Sequence, residues 1–269
     1  MPELPEVETI KRDLDQVVVG KKIIRVSVYN PKVIRQPSSL KFKQGLTGAR
    51  INRVLRRGKV LIMELSNAKS LAIHLKMTGQ LIYPGLKQKA TRVIFHLSSG
   101  KDLVFNDQRI FGDLRLLDDW RNLRFIQGLG PEPKDLTLIQ FQDMLSRKKT
   151  KIKPLLMDQK FISGIGNLYA AEILFSAKIN PQRRACELLA REKEALFNSM
   201  QYILTEAVDC GGSSVDDYVR LSGGKGDYKK YHRVYAREGK PCLVCKSLIK
   251  RSALGGRGTY FCPKCQKKL

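Results

Sequence analysis

The chain opens Met1-Pro2-Glu3-Leu4-Pro5-Glu6-Val7-Glu8, a stretch whose residue types suit covalent chemistry. Methionine ahead of a small second residue is readily removed, and removal would leave Pro2 with a free secondary amine. α-Amino groups titrate near ~8, so such an amine is a nucleophile close to neutral pH. Attack on an aldehyde carbon gives an iminium ion. A secondary amine has no second N–H to lose, so the iminium stays cationic and acts as an electron sink. Glu3 and Glu6 place carboxylates beside it for proton transfer. The same residues also suit a plain helix start, with Pro5 in the first turn and acids at the positive end of the helix dipole.

Of the six cysteines, Cys186 and Cys210 are isolated and read as reduced packing residues. The other four form two pairs, Cys242-x2-Cys245 and Cys262-x2-Cys265, separated by 16 residues. Four thiolates at that spacing suit one tetrahedral structural Zn²⁺ and leave no coordination position for a catalytic water. A rubredoxin-like iron site is the alternative. The segment between the pairs reads as strand–turn–strand, with Gly255-Gly256-Arg257-Gly258 at its tip. An arginine there could reach a phosphate; a ribbon used for protein contact is the other reading.

Weaker candidates lie elsewhere. Arg56-Arg57-Gly58-Lys59 sits in a turn, where Lys59 could serve acid–base work, touch phosphate, or be a plain exposed charge. Ile162-Ser163-Gly164-Ile165-Gly166-Asn167 precedes a helical pattern. Backbone N–H groups at such a helix start bind phosphate, though a simple inter-helix turn gives the same pattern. Arg147–Lys153 is a basic run without an acid. Met77 and the pair Arg109 and Phe111 could fill a gap in a base stack and satisfy an orphaned base edge. Taken singly, Met77 and Phe111 are ordinary core residues. The histidines show no metal or triad spacing.

The elements that must position these residues fall into blocks. Apolar residues at Val7, Ile10, Leu14, Val17 and Val18 predict a helix over 5–19 stopped by Gly20. Residues 22–117 are β-rich, with strands over 22–29, 50–65, 71–83, 92–97 and 103–106, and a hairpin turn at Ser98-Ser99-Gly100-Lys101. Consecutive hairpins of this kind make a sandwich or barrel. Pro131-Glu132-Pro133 marks a boundary, after which 136–145, 168–178, 188–208 and 215–221 read as helices. Residues 222–233, rich in Gly and Lys, read as a mobile loop.

Lys and Arg total 50 against 25 acids, a formal charge of +25. That excess implies a polyanionic partner, most simply nucleic acid. From residue 220 onward, 14 basic residues face 2 acids. No apolar run reaches transmembrane length and the N-terminus is not signal-like, so an intracellular protein without a membrane partner is expected.

Taken together these residues resemble the formamidopyrimidine-DNA glycosylase family. The resemblance covers the whole chain. It rests on Pro2–Glu8, on Lys153-Pro154-Leu155-Leu156-Met157-Asp158 through Gly166-Asn167-Leu168-Tyr169-Ala170, and on the terminal cysteine module. It implies an α+β protein: an N-terminal β-sandwich with an N-terminal helix (1–120), a helix–two-turn–helix domain (133–222) and a C-terminal zinc-finger β-hairpin (234–269), with double-stranded DNA running between the lobes. It implies excision of oxidised purines, chiefly 8-oxoguanine and formamidopyrimidines, followed by strand nicking. By motif match Pro2 is the Schiff-base nucleophile, Glu3 the acid assisting sugar opening, Lys59 the proton donor of β-elimination and Arg257 that of δ-elimination. Lys149, Lys153, Asn167 and Arg257 match phosphate-binding positions. Met77, Arg109 and Phe111 match the void-filling trio, with Arg109 facing the orphaned cytosine. A monomer in the bacterial cytoplasm, associated with the nucleoid, is expected.

The chain departs from the family pattern at Ala90-Thr91-Arg92, where His-Asp-His is frequent, at Ile110, where Arg or Lys is common, and at Tyr235-Ala236-Arg237. A non-enzymatic zinc-ribbon protein on the same scaffold and an endonuclease VIII-like glycosylase for oxidised pyrimidines are the rival readings. Leu4, where the latter type usually has glycine, favours the first family.

Overall fold

The apolar stripe at the N-terminus forms α1 (Leu4–Val18), and Val7, Ile10, Leu14 and Val18 are all buried, as the spacing predicts. The chain turns away at Gly20, whose φ of +80° suits glycine. The computed structural model describes residues 1–215 and 217–267. They form two compact units: Met1–Gln127 with Val208–Lys229, and Gly128–Ala207 with Lys230–Leu269.

In the first unit α1 is followed by β1 (Ile23–Val28), β2 (Ile34–Gln36), α2 (Ser39–Leu46), β3 (Ile51–Arg57), β4 (Val60–Leu65), β5 (Ser70–His74), β6 (Gly79–Ile82), β7 (Thr91–Leu97), β8 (Asp102–Asp107), β9 (Asp113–Leu117) and α3 (Arg124–Gln127). One sheet has the order β1-β7-β8-β6, the other β2-β9-β5-β4-β3. Both contribute to one core that also takes the apolar face of α1, which is the expected sandwich. β4 is buried on both faces: Leu61 and Met63 enter that core, while Val60 and Ile62 pack with Ala72 and Leu117 under Trp120 and Leu123. Burial on two faces explains its unbroken apolar run.

The second unit holds α4 (Leu138–Ser146), α5 (Ile152–Met157), α6 (Asn167–Ser176), α7 (Ala190–Asp209) and the hairpin β10 (Lys250–Leu254) with β11 (Arg257–Phe261). Eight residues of α6, Leu168–Phe175, are buried. A helix buried nearly all round, with Glu172 the one acid among those residues, belongs at the centre of its unit. Among the described residues no helix is long and apolar enough to cross a membrane.

Several expectations change. The described residues of 215–221 are not helical. Their apolar pair Tyr218 and Leu221 reaches the first unit's core from irregular chain, held by Tyr218 Oη donating to the Gly211 carbonyl (2.9 Å) and Ser214 Oγ to the Tyr218 carbonyl (2.8 Å). Asp216 lies outside the described residues. Within 222–233 Tyr228 is fully buried and the chain turns in a short 3₁₀ helix, Tyr228–Tyr231, so this end of the loop is anchored.

Candidate functional site

Pro2 and Glu3 are both buried at the head of α1, with Glu3 as N-cap and Glu6 completing a capping box. The Glu6 carboxylate accepts from the Glu3 N–H (2.8 Å) through Oε2 and from the Ser213 N–H (2.9 Å) through Oε1. Sequence reading places Glu6 beside Glu3 for proton transfer. The structure instead commits both its oxygens to backbone, so it fixes where Pro2 and Glu3 stand. A cap of this kind contributes about 1 kcal/mol.

Glu8, one turn on, pairs with Arg56 (2.8 Å) and Arg12 (3.2 Å). Burial pushes its carboxyl up, but the hydrogen bonds and charges of Arg56 and Arg12 outweigh that and hold it below the ordinary range. Arg56 also donates to the Gly58 carbonyl (2.9 Å). One guanidinium therefore ties α1 to the Gly58-Lys59 turn joining β3 and β4. Gly58 has φ +56°, as the first residue of a two-residue II′ hairpin requires. Lys59 is buried rather than an exposed hairpin charge. His74 at the end of β5 was missed by sequence reading. Burial, then the charges of Lys76 and Lys59, pushes it down to about 3, against an opposing pull from Asp113. It is neutral at neutral pH, and its Nδ1 accepts from the Lys76 N–H (3.1 Å), which leaves the proton on Nε2.

Met77 and Phe111 are 39% and 47% exposed, so neither is a core residue. The Arg109 guanidinium lies over the Phe111 ring, 4.6 Å from its centroid. Two loops carry the three residues, and one buried acid joins them. Asp107 Oδ1 accepts from Thr78 Oγ1 (2.5 Å) and from the Arg109 N–H (3.2 Å), and Oδ2 accepts from the Gly112 N–H (2.6 Å). Thr78 Oγ1 also accepts from the Arg109 N–H (3.1 Å). Gly79 closes the Met77 turn so tightly that a Cβ would lie 2.3 Å from the Leu75 carbonyl oxygen. Ile110 is held at φ +60°, unfavourable for a β-branched residue, and packs against the core. Arg92, in the divergent Ala90-Thr91-Arg92 stretch, donates to the Asp107 carbonyl (2.7 Å) and the Lys89 carbonyl (3.3 Å). Asp107 and Thr78 left no sequence signal, since their role comes from strand pairing far along the chain.

In the second unit Lys149 is exposed in the loop between α4 and α5. Asn167 is the first residue of α6, behind the N-cap Gly166. Lys153 is fully buried, and its Nζ donates to Asn167 Oδ1 (2.6 Å), Thr259 Oγ1 (2.8 Å) and the Gly258 carbonyl (3.4 Å). Charge-assisted bonds contribute about 1.5–3 kcal/mol each. They fasten α5 and α6 to the hairpin strand that begins with exposed Arg257.

The four sulfurs of Cys242, Cys245, Cys262 and Cys265 lie within 4.8 Å of one another. Two pairs are 3.9 Å and 3.4 Å apart. Zn–S bonds of about 2.3 Å in a tetrahedron set sulfurs about 3.8 Å apart, so the cage fits one Zn²⁺. Burial pushes the Cys262 and Cys265 thiols up. Hydrogen bonding with Ser247 instead pulls the Cys245 thiol down to about 6. The module rests on α6 and the chain just after it: the Gln266 side chain accepts from the Cys262 N–H (2.8 Å) and donates to the Ile179 carbonyl (2.9 Å). Buried Glu172 of α6 accepts from the N–H groups of Arg233, Val234 and Tyr235 at 2.9, 3.0 and 2.8 Å. Burial raises its pKa despite those bonds.

The structure also aligns Ser27, His96 and Asp102 across β1, β7 and β8, at 2.9 Å and 2.8 Å. This row resembles a nucleophile–base–acid triad that the sequence spacing did not suggest. Asp102 opens β8 and His96 nearly closes β7, so the row lies beside the 98–101 hairpin turn and its members face one another across the ladders. The row reads as a cross-strand polar ladder.

The family model for the formamidopyrimidine-DNA glycosylase N-terminal domain matches residues 1–114, that for its H2TH domain 128–219, and that for a zinc finger found in FPG and IleRS 239–268. The formamidopyrimidine-DNA glycosylase of Pelotomaculum thermopropionicum is 44% identical over 274 residues, covering 99% of each chain. Lactococcus lactis Fpg in complex with DNA containing Fapy-dG has a TM-score of 0.90 at 33% identity, covering 99% of this chain and 100% of that one. The same enzyme with DNA containing an abasic site has a TM-score of 0.91 at 34% identity and the same coverage. Three segments matched in order, and a relative matched from end to end, show that the chain belongs to the formamidopyrimidine-DNA glycosylase family.

Proposed function

We propose that this DNA glycosylase of base excision repair removes oxidised purines, 8-oxoguanine and formamidopyrimidines, through an N-terminal proline Schiff base, and then nicks the abasic site by β,δ-elimination. The observation that carries this reading is the buried Pro2-Glu3 pair at the head of α1, pinned by Glu6. A base inside a duplex must be flipped out before its sugar carbon can be attacked. The Pro2 nitrogen adds to C1′, the damaged base leaves, and Glu3 gives a proton to the ring oxygen as the sugar opens. The cationic iminium acidifies the C2′ proton. Loss of that proton expels the 3′ phosphate, and a second elimination expels the 5′ phosphate. Lys59 is the proton donor of the first elimination and Arg257 of the second.

Lys149, Lys153, Asn167 and Arg257 hold phosphates, with Lys153 lending its charge from behind Asn167. Met77, Arg109 and Phe111 fill the gap left by the flipped base. Their exposure and the Asp107–Thr78 clamp support this role. The four cysteines hold the zinc, which orders the hairpin and takes no part in the reaction. We assign catalysis to residues 1–120, helix–two-turn–helix DNA binding to 133–222 and the finger to 234–269. The protein acts as a monomer on duplex DNA in the bacterial cytoplasm, at the nucleoid. The DNA bound in the Lactococcus lactis complexes and the bacterial sources of the relatives support this setting.

Glu3→Gln is expected to reduce excision of a damaged base strongly while leaving measurable cleavage of a preformed abasic site, because an aldehyde already open needs less acid assistance. Parallel assays on the two substrates check this, and equal loss on both contradicts the division of roles.

Arg109→Ala should narrow the preference for cytosine over adenine opposite the lesion, by on the order of 1–3 kcal/mol for a good base contact. Lys149→Ala should weaken binding to all duplexes alike and lower the salt dependence by about one phosphate contact. Excision from four duplexes differing only in the opposing base, at fixed salt, separates the two. A common factor across all four for Arg109→Ala removes its base-reading role.

A further inference from the structure

The loop that carries Arg109 borders an open cavity of about 680 Å³, lined by Lys32, Ile34, Arg35, Arg109, Ile110 and Phe111. Half of these residues are cationic and none is acidic. Lys32 and Arg35 are exposed on the 3₁₀ turn Pro31–Val33 and on β2. β2 runs parallel to β9, with Ile34 opposite Leu114, which brings this edge beside the 108–112 loop. Among the described residues, the side chains of Lys32, Arg35 and Arg109 enter no ion pair. The acids flanking the loop are committed elsewhere: Asp107 to backbone N–H groups and Thr78, Asp113 to Arg115 at 2.7 and 3.0 Å. Three cations gathered around one cavity repel one another, and among the described residues no acid pairs with any of them. Ile110, turned into the core at the position where a cation is common in the family, contributes no charge.

We propose that Lys32 and Arg35, beside the base-reading Arg109, form a binding groove for the phosphodiester backbone of the strand opposite the lesion. The choice of strand rests on Arg109 reading the orphaned base, because a groove sharing that residue is closest to that base's own backbone. The chemistry fits a phosphodiester. The Arg35 guanidinium offers paired donors, the Lys32 ammonium adds a point charge, and Ile34 and Ile110 give an apolar wall for sugar.

The test compares the wild type with Lys32→Ala/Arg35→Ala by fluorescence anisotropy. The probes are a duplex with a non-cleavable abasic analogue opposite dC, and the single strand bearing the same analogue, over a salt series. The double variant should bind the duplex on the order of 10-fold or more weaker at low salt, with a salt slope reduced by about two phosphate contacts. The single strand, which lacks the strand the groove would hold, should show no comparable loss. The preference among opposing bases should persist, since phosphate contacts carry no sequence information. Lys32→Arg/Arg35→Lys, which keeps the charge, should restore most of the slope, and an unchanged melting temperature shows that the fold is intact. An unchanged duplex slope overturns the proposal, and so does equal loss on duplex and single strand. Because both readouts are binding alone, failure of the Pro2 chemistry would show separately, as a wild type that binds but does not cut.

Discussion

Protein that keeps Met1, or whose Pro2 nitrogen is acetylated, is expected to lose base excision and nicking through Pro2 while still binding damaged duplex DNA. The reason lies in one lone pair. In either form the Pro2 nitrogen is a tertiary amide, its electrons are delocalised into the carbonyl, and it neither attacks C1′ nor forms an iminium. Losing a covalent nucleophile removes the route rather than slowing it, so activity should fall to background. Binding should survive, because the proposed phosphate and base contacts come from Lys149, Asn167, Arg257 and Arg109, not from residue 2. Mass spectrometry of the intact protein gives the fraction with a free Pro2, and activity should scale with it. Full activity in protein shown to retain Met1 contradicts the mechanism.

The second large effect concerns zinc. Chelation, or Cys262→Ser, is expected to abolish DNA binding by unfolding the module over 234–269 while the first unit stays folded. Structural zinc in small modules supplies apparent binding energies of about 10–16 kcal/mol, which is also their folding energy. The buried cluster around the module is small: Ala171, Phe175, Val234 and Ile249 with the cysteines Cys242 and Cys262. Without the metal, Thr259 and Gly258 no longer meet Lys153, whose buried ammonium loses the Thr259 hydroxyl and the Gly258 carbonyl as acceptors. The core that unites α1 with the two sheets contains no residue of the module, so its melting should be unaffected. Metal analysis, anisotropy and circular dichroism melts check the three parts. Cys265→His, which keeps a zinc-competent ligand set, should retain metal and most binding. Zinc-free protein that binds DNA normally contradicts this account.

What the sequence made legible was local. The cysteine spacing, the α1 stripe and the Pro2-Glu3 start are short-range patterns, and they stand in the structure where the spacing places them. What it hid depends on pairings far apart in the chain. Asp107 is an unremarkable strand-end acid until β6 and β8 bring it against Thr78, 29 residues away. Glu6 looks like a second proton carrier until Ser213, 207 residues away, takes one of its oxygens. Ser27 and His96 become neighbours only because β1 pairs with β7. β9 escaped notice because Asp113 and Arg115 break up a five-residue strand. The residues after Val215 read as a helix because Tyr218 and Leu221 sit one turn apart, a spacing that irregular chain also satisfies when both side chains reach the same core.

The central claim is that Pro2 forms the covalent link to the sugar. It is tested most directly by borohydride trapping on DNA containing an abasic site, followed by proteolysis and mass mapping of the crosslinked peptide. The account predicts a single reduced adduct on the N-terminal peptide, at the Pro2 nitrogen of chains that lack Met1. An adduct on a lysine such as Lys59, or no adduct under conditions where the strand is nicked, contradicts it.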